Sequence, residues 1–177
     1  KIFTLAVANR GFNRVGWVFL TGMCASCGIW ATHFIAMLSY NPGLPVAYDA
    51  SLTMASLLIA LPTAIVGFGV ATLDRPIFRI AGGAIIGLGI SVMHYTGMLA
   101  VMLPGRVEWD PTLVVASIVI GTTVAALAVY VARARSDNRG VVYAAGVLVL
   151  AICGMHFTAM GAAIIVPDPT VAFSGAT

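Results

Sequence analysis

An all-α, polytopic transmembrane helix bundle with three parallel two-helix repeats is the fold class the sequence predicts, and three observations predict it. The first is composition: of 177 residues, 60% are hydrophobic and only 8% are charged, and the mean hydropathy is +1.03. Water-facing domains carry about 25% charged residues, so this chain cannot cover a solvated surface and belongs in a bilayer. The second is that its apolar residues fall in runs of bilayer length, about 20 residues each. The third is that one pattern built around a histidine returns three times.

Taken in order, "KIFTLAVA" at 1–8 reads as the inner end of a helix. It lacks the basic, then apolar, then small-residue order of a secretory signal, and the chain is expected to be a piece of a longer protein. Full spans are expected at about 15–39, 50–72, 79–103, 112–132 and 141–166, joined by short punctuated loops, with a last loop at 167–177. Pro62 lies inside the second span and should kink it; neighbouring helices make that tolerable in a membrane. Gly28, Gly82, Gly83, Gly87 and Gly89 read as points of close helix approach. An odd three cysteines inside apolar segments do not make a disulfide framework. Cys24 and Cys27 are expected to be small buried packing residues, while Cys153, three residues before His156, shares its helix face.

Charge fixes an expected orientation. Arg10 and Arg14, Arg75 and Arg79, and Arg133, Arg135 and Arg139 occupy alternate loops, whereas the other loops hold only Arg106 beside Asp49, Glu108, Asp110 and Asp168. By the positive-inside rule the arginine-bearing loops are cytoplasmic and the acid-bearing ones face outward. No basic run and no exposed aromatic platform is present, so a nucleic-acid partner is excluded; the lipid bilayer is the partner that composition implies.

The repeats align without gaps as "GIWATHFIAML" from Gly28, "GISVMHYTGML" from Gly89 and "AICGMHFTAMG" from Ala151, with histidines at 33, 94 and 156. Each repeat is one plain helix and one histidine helix. Two spans return the chain to its starting side, so all three histidine helices run the same way, about an axis along the membrane normal. His33, His94 and His156 then share one layer in the outer half of the bundle.

Each histidine is followed four residues later by methionine: Met37, Met98 and Met160. Positions i and i+4 lie on one helix face, so imidazole and thioether are offered together three times. Met93 and Met155 precede two of the histidines; Thr32 stands there in the first repeat. Met23, Met54 and Met102 do not recur and read as plastic apolar filler. A single membrane histidine is ordinarily a hydrogen-bonded packing residue, but intramembrane ionisable groups are functional candidates, and three at one depth with matched sulfur partners point to a metal. Imidazole suits copper, zinc, iron and nickel, and thioether selects Cu(I), so the mixed set favours copper. Zinc is an alternative, but no Asp or Glu lies within a span to serve hydrolysis. Haem takes His and Met as axial ligands, yet three pairs exceed two axial positions. A copper-handling transporter with a transit site and a haem-binding electron-transfer protein are two functions that such a set could serve.

With these residues in view, "MHYT" at 93–96, flanked by "ATHF" at 31–34 and "GMHF" at 154–157, resembles the MHYT domain, a bacterial integral-membrane sensor module of about seven spans. The resemblance covers residues 1–177 as a single domain, with the first span mostly missing and the last absent. It implies copper held near the outer face by His33, His94 and His156 with Met93 and Met155, and Met37, Met98 and Met160 match the family's "HFxGM" pattern. It further implies sensing of O2, CO, NO or redox state. The signal would pass to a cytoplasmic diguanylate cyclase (GGDEF), phosphodiesterase (EAL) or histidine kinase region, none of which is visible in this chain. The chain itself is then not an enzyme but an input to cyclic-di-GMP signalling.

Overall fold

Each long apolar run forms one helix, and the polar punctuation sets where the helices begin. The computed structural model describes residues 1–135 and 137–168, so all of the last loop beyond Asp168 lies outside the described residues. A short α1 (Ile2–Ala8) precedes five long helices: α2 (Gly11–Leu38), α3 (Ala50–Ala71), α4 (Pro76–Leu99), α5 (Pro111–Ala134) and α6 (Asn138–Ala162). These five are long and apolar enough to cross a membrane. Asp49, Asp110 and Asp137 cap α3, α5 and α6, each carboxylate accepting from backbone N–H groups of the first turn, as N-cap acids do. Pro76 and Pro111 open α4 and α5, where the missing N–H is one the helix would leave unpaired anyway.

Two expected spans are shorter at their C-terminal ends than hydropathy indicated. The runs read as helix to 103 and to 166 stop at Leu99 and Ala162, and the chain becomes strand. β1 (Ala47–Tyr48) pairs antiparallel with β2 (Val101–Met102), and β3 (Gly105–Trp109) pairs antiparallel with β4 (Ala163–Pro167), Val107 opposite Ile165. The backbone groups freed at the ends of α4 and α6 are taken up by these ladders. The ladders also tie together the segments that leave α2, α4 and α6, so the three histidine helices are fastened at one end.

Between those helices lie the plain ones: α3 packs between α2 and α4, α5 packs between α4 and α6, and α1 lies along α2. Small residues let these backbones close. A Cβ on Gly83 would lie 2.5 Å from the Ala126 Cα, one on Gly87 2.6 Å from the Gly121 carbonyl oxygen, and one on Gly82 would collide with Gly67 and Ala71. One on Gly89 would strike the Thr63 side chain. Four of the five expected contact glycines thus serve that purpose. Gly28 does not: a Cβ there meets nothing within 4 Å, and the residue is exposed. The same outward face of α2 carries Cys24 and Cys27, which are free and exposed rather than buried. Met54 and Met102 are likewise on the surface. Helix α3 runs unbroken through Pro62; beside it the Thr63 hydroxyl donates to the carbonyls of Ile59 and Ala60, and Ser26 of α2 donates to Ala60 as well.

Candidate metal centre

His33, His94 and His156 each sit about one and a half turns before the strand end of their helix, and the bundle brings all three to its axis. Their Nδ1 atoms form a nearly equilateral triangle: 3.2 Å from His94 to His33, 3.3 Å from His156 to His94 and 3.3 Å from His33 to His156. The rings stand edge to face, at interplanar angles of 79°, 80° and 88°, like blades around the axis. All three are buried, His94 completely at 0% exposure.

Hydrogen bonding among the three imidazoles cannot account for this arrangement. A ring nitrogen of neutral histidine is a donor or an acceptor, never both. Whatever the tautomers, one edge of the triangle therefore places lone pair against lone pair or N–H against N–H. A cation at the centre accepts all three lone pairs at once. The geometry admits one: the centre of a triangle of edge 3.3 Å lies about 1.9 Å from each corner, against about 2.0 Å for a zinc–imidazole bond. Three mutually close, buried histidines are the described group of side chains able to hold a metal ion.

Beside the triad lies a cavity of about 90 Å³, lined by the histidines and by Ile29, Ile90, Ile152, Thr32, Cys153, Met93 and Met155, among others. The structure thus brings Met93 and Met155, and Cys153, to the same cavity as the triad. Met37, Met98 and Met160 lie one turn nearer the ladders and are not among its lining residues; Met37 and Met98 are buried and Met160 is half-buried. The Thr32 hydroxyl donates to the carbonyl of Gly28, so it supplies no free donor to the cavity.

One residue that shapes the site was not singled out in the sequence. A Cβ on Gly97 would come within 2.7 Å of the His33 Nε2, so the absence of a side chain on α4 makes room for the imidazole of α2. The signal was present: a small residue stands three positions after every histidine, Ala36, Gly97 and Ala159. Around the layer, the Trp30 indole donates to the Thr53 carbonyl and Ser56 hydroxyl, and the Tyr95 and Ser117 hydroxyls share a 2.7 Å bond. These bonds anchor the residues flanking the histidines to the plain helices.

The pattern of a known family, MHYT, described as a bacterial signalling protein N-terminal repeat, matches residues 27–84 and 87–145. The chain belongs to the MHYT family. Each matched stretch of this MHYT domain opens just before one histidine motif, and the third motif, at His156, follows the second stretch. An uncharacterized signaling protein of Caulobacter vibrioides is 40% identical over 172 residues, 97% of this chain and 21% of its own length. MucR of Pseudomonas aeruginosa, a bifunctional diguanylate cyclase/cyclic di-GMP phosphodiesterase, is 36% identical over 87% of the chain and 24% of its own length. NbdA of the same organism, a cyclic di-GMP phosphodiesterase, is 34% identical over 84% of the chain and 20% of its own length. The MHYT chain therefore spans a fifth to a quarter of these relatives. No solved structure matches it.

Proposed function

We propose that residues 1–177 act as one membrane-embedded signalling input domain, which holds copper at the histidine layer and senses a diatomic gas (O2, CO or NO) or a change of redox state. The observation that carries this reading is the triangle of three buried Nδ1 atoms 3.2–3.3 Å apart, which no tautomer satisfies and one cation does. His33, His94 and His156 are the ligands. Met93 and Met155 offer sulfur from the adjoining cavity, and Met37, Met98 and Met160 surround the layer one turn outward. Copper, when bound, supplies a redox-active centre with open faces that a diatomic molecule can ligate.

The remaining roles belong to the chain. Buried apolar walls exclude water from the triad, and a cavity of about 90 Å³ admits a small apolar molecule while leaving no space for a porphyrin. The closeness of the three nitrogens argues the same way, because a haem would have to separate two of them. Thioethers beside imidazoles favour copper over zinc. Candidate ligands at a single depth favour a fixed site over a transit path.

The arginine-bearing ends of the helices are placed in the cytoplasm by the positive-inside rule, which puts the histidine layer towards the periplasm of the inner membrane. The cyclic-di-GMP activities in the names of MucR and NbdA are assigned to the three quarters or more of those proteins outside the match, and this chain to a non-enzymatic input feeding such an effector. Metal analysis of the purified chain, followed by spectroscopy under CO and NO, tests the reading. About one copper per chain, lost in His94→Ala, with gas-dependent spectra only when loaded, supports it. A metal-free protein, or equal copper in His94→Ala, overturns it.

A further inference from the structure

At the end of the bundle opposite the histidine layer, arginines from three helices gather around Arg133 with a single acid, Asp74, in reach. Arg14 is the fourth residue of α2, Arg79 the fourth of α4, and Arg133 lies in the last turn of α5. Arg133 stands within electrostatic reach of Arg79 and Arg14, and of one acid, Asp74. All three arginines are half-buried, whereas Arg10, Arg75, Arg135 and Arg139 are exposed. The covered Nε atoms of Arg79 and Arg133 have no hydrogen-bond partner. Arg14 Nε donates to the Asn9 carbonyl at 2.9 Å, while Arg79 reaches the Asp74 carbonyl only at 3.5 Å. None of the three is in an ion pair; the pair that the described residues do form, Arg106–Glu108, is on β3 at the far end.

The helix ends add to the imbalance. Helices α2 and α4 begin with no side-chain cap and no acid in the first turn, unlike α6, which Asp137 caps. A helix start carries partial positive charge that an acid offsets and a guanidinium aggravates. Buried donors without partners cost further. An anion with several oxygens relieves all of these at once. Guanidinium forks match the spread oxygens of phosphate, and pockets of basic residues between membrane helices at this level are suited to lipid head groups.

We propose that Arg14, Arg79 and Arg133 form a binding site for a phosphate group, carried by an anionic phospholipid or free in solution, between the starts of α2 and α4 and the end of α5. The site uses the two helices that also deliver His33 and His94, at their opposite ends.

Native mass spectrometry of the purified chain, titrated with phosphatidylglycerol and separately with inorganic phosphate, tests it. The expected result is an adduct that saturates at one per chain and that Arg79→Gln and Arg133→Gln each weaken about tenfold, while Arg139→Gln, an exposed arginine, changes it little. A lipid adduct that inorganic phosphate does not displace assigns the phospholipid, and saturation by phosphate alone assigns the free anion; both support the site. Binding of neither, or an equal loss in Arg139→Gln, overturns it. Should the glutamine variants fail to fold, Arg79→Lys with Arg133→Lys keeps both charges and removes both forks. Weakening by about threefold or more then supports the site, and unchanged affinity overturns it.

Discussion

Gly97 on α4 lies so close to His33 on α2 that a β-carbon there would stand 2.7 Å from Nε2 and 3.3 Å from Cδ2 of the imidazole. The ring cannot retreat freely, because its other edge meets His94 and His156 in the Nδ1 triangle. Gly97→Ala is therefore expected to tilt His33 out of the layer and to lower copper affinity about tenfold or more, the scale at which disturbing the surroundings of a ligand acts. Gly154→Ala is the control, since a Cβ there approaches only the Ile120 side chain, at 3.1 Å. A chelator competition titration on the two variants reads the difference; equal affinities would show that Gly97 does not position the ring.

The histidines are expected to trade stability for binding. Buried Nε2 atoms of His33 and His94 have no hydrogen-bond partner, and an unsatisfied buried polar group costs about 1–3 kcal/mol. His94→Leu removes one such atom and the frustrated edge of the triangle while keeping an apolar volume on the axis. In the metal-free chain, thermal unfolding of His94→Leu should fall at or above the wild-type temperature. With copper added, the order should reverse, because only the wild type gains from a ligand that binds the folded state. A metal-free His94→Leu protein that unfolds well below the wild type would show that the triad is structural.

The histidine layer was legible in the sequence because the 61- and 62-residue offsets between His33, His94 and His156 return the chain to the same depth and direction. Helix ends were less so. Val101, Met102 and Ile164 to Val166 continue the apolar runs of α4 and α6, and hydropathy does not separate a strand from the last turn of a helix. The facing of Cys24, Cys27 and Gly28 was missed for a related reason. A membrane helix is apolar all round, so no polar stripe marks the side without protein neighbours. The arginine cluster was visible only as three separate loops, and it took the packing of α2, α4 and α5 to bring Arg14, Arg79 and Arg133 together.

The eight methionine and histidine candidates divide by position, and so should their substitutions. Met93 and Met155 line the cavity beside the triad, whereas Met37, Met98 and Met160 do not. Met93→Leu and Met155→Leu are expected to weaken Cu(I) binding severalfold. Met37→Leu, Met98→Leu and Met160→Leu should leave it unchanged and cost less than about 1.5 kcal/mol in stability, as volume-conserving swaps do. Competition with a Cu(I)-selective chelator measures the first effect and thermal unfolding the second. If the outer three alone weaken binding, sulfur reaches the metal from the ladder side instead.

The last prediction concerns the fastening of α2. The Tyr48 hydroxyl, on β1, donates to the carbonyl of Met37 at 2.8 Å, near the end of α2 and one turn beyond His33. Tyr48→Phe is expected to cost about 1 kcal/mol and to loosen that end. Burial raises the Tyr48 phenol above the usual tyrosine value near 10, so the folded state holds this proton more tightly than the unfolded chain does. The contribution is thus complete below about pH 10 and is lost as pH rises through the raised folded value, where the phenolate can no longer donate to the carbonyl. Unfolding curves of the wild type and Tyr48→Phe should differ at neutral pH and converge in strong alkali. A difference that persists undiminished there would mean that this hydrogen bond is not what separates the two proteins, since both keep the ring that faces Phe34, its centroid 6.1 Å away.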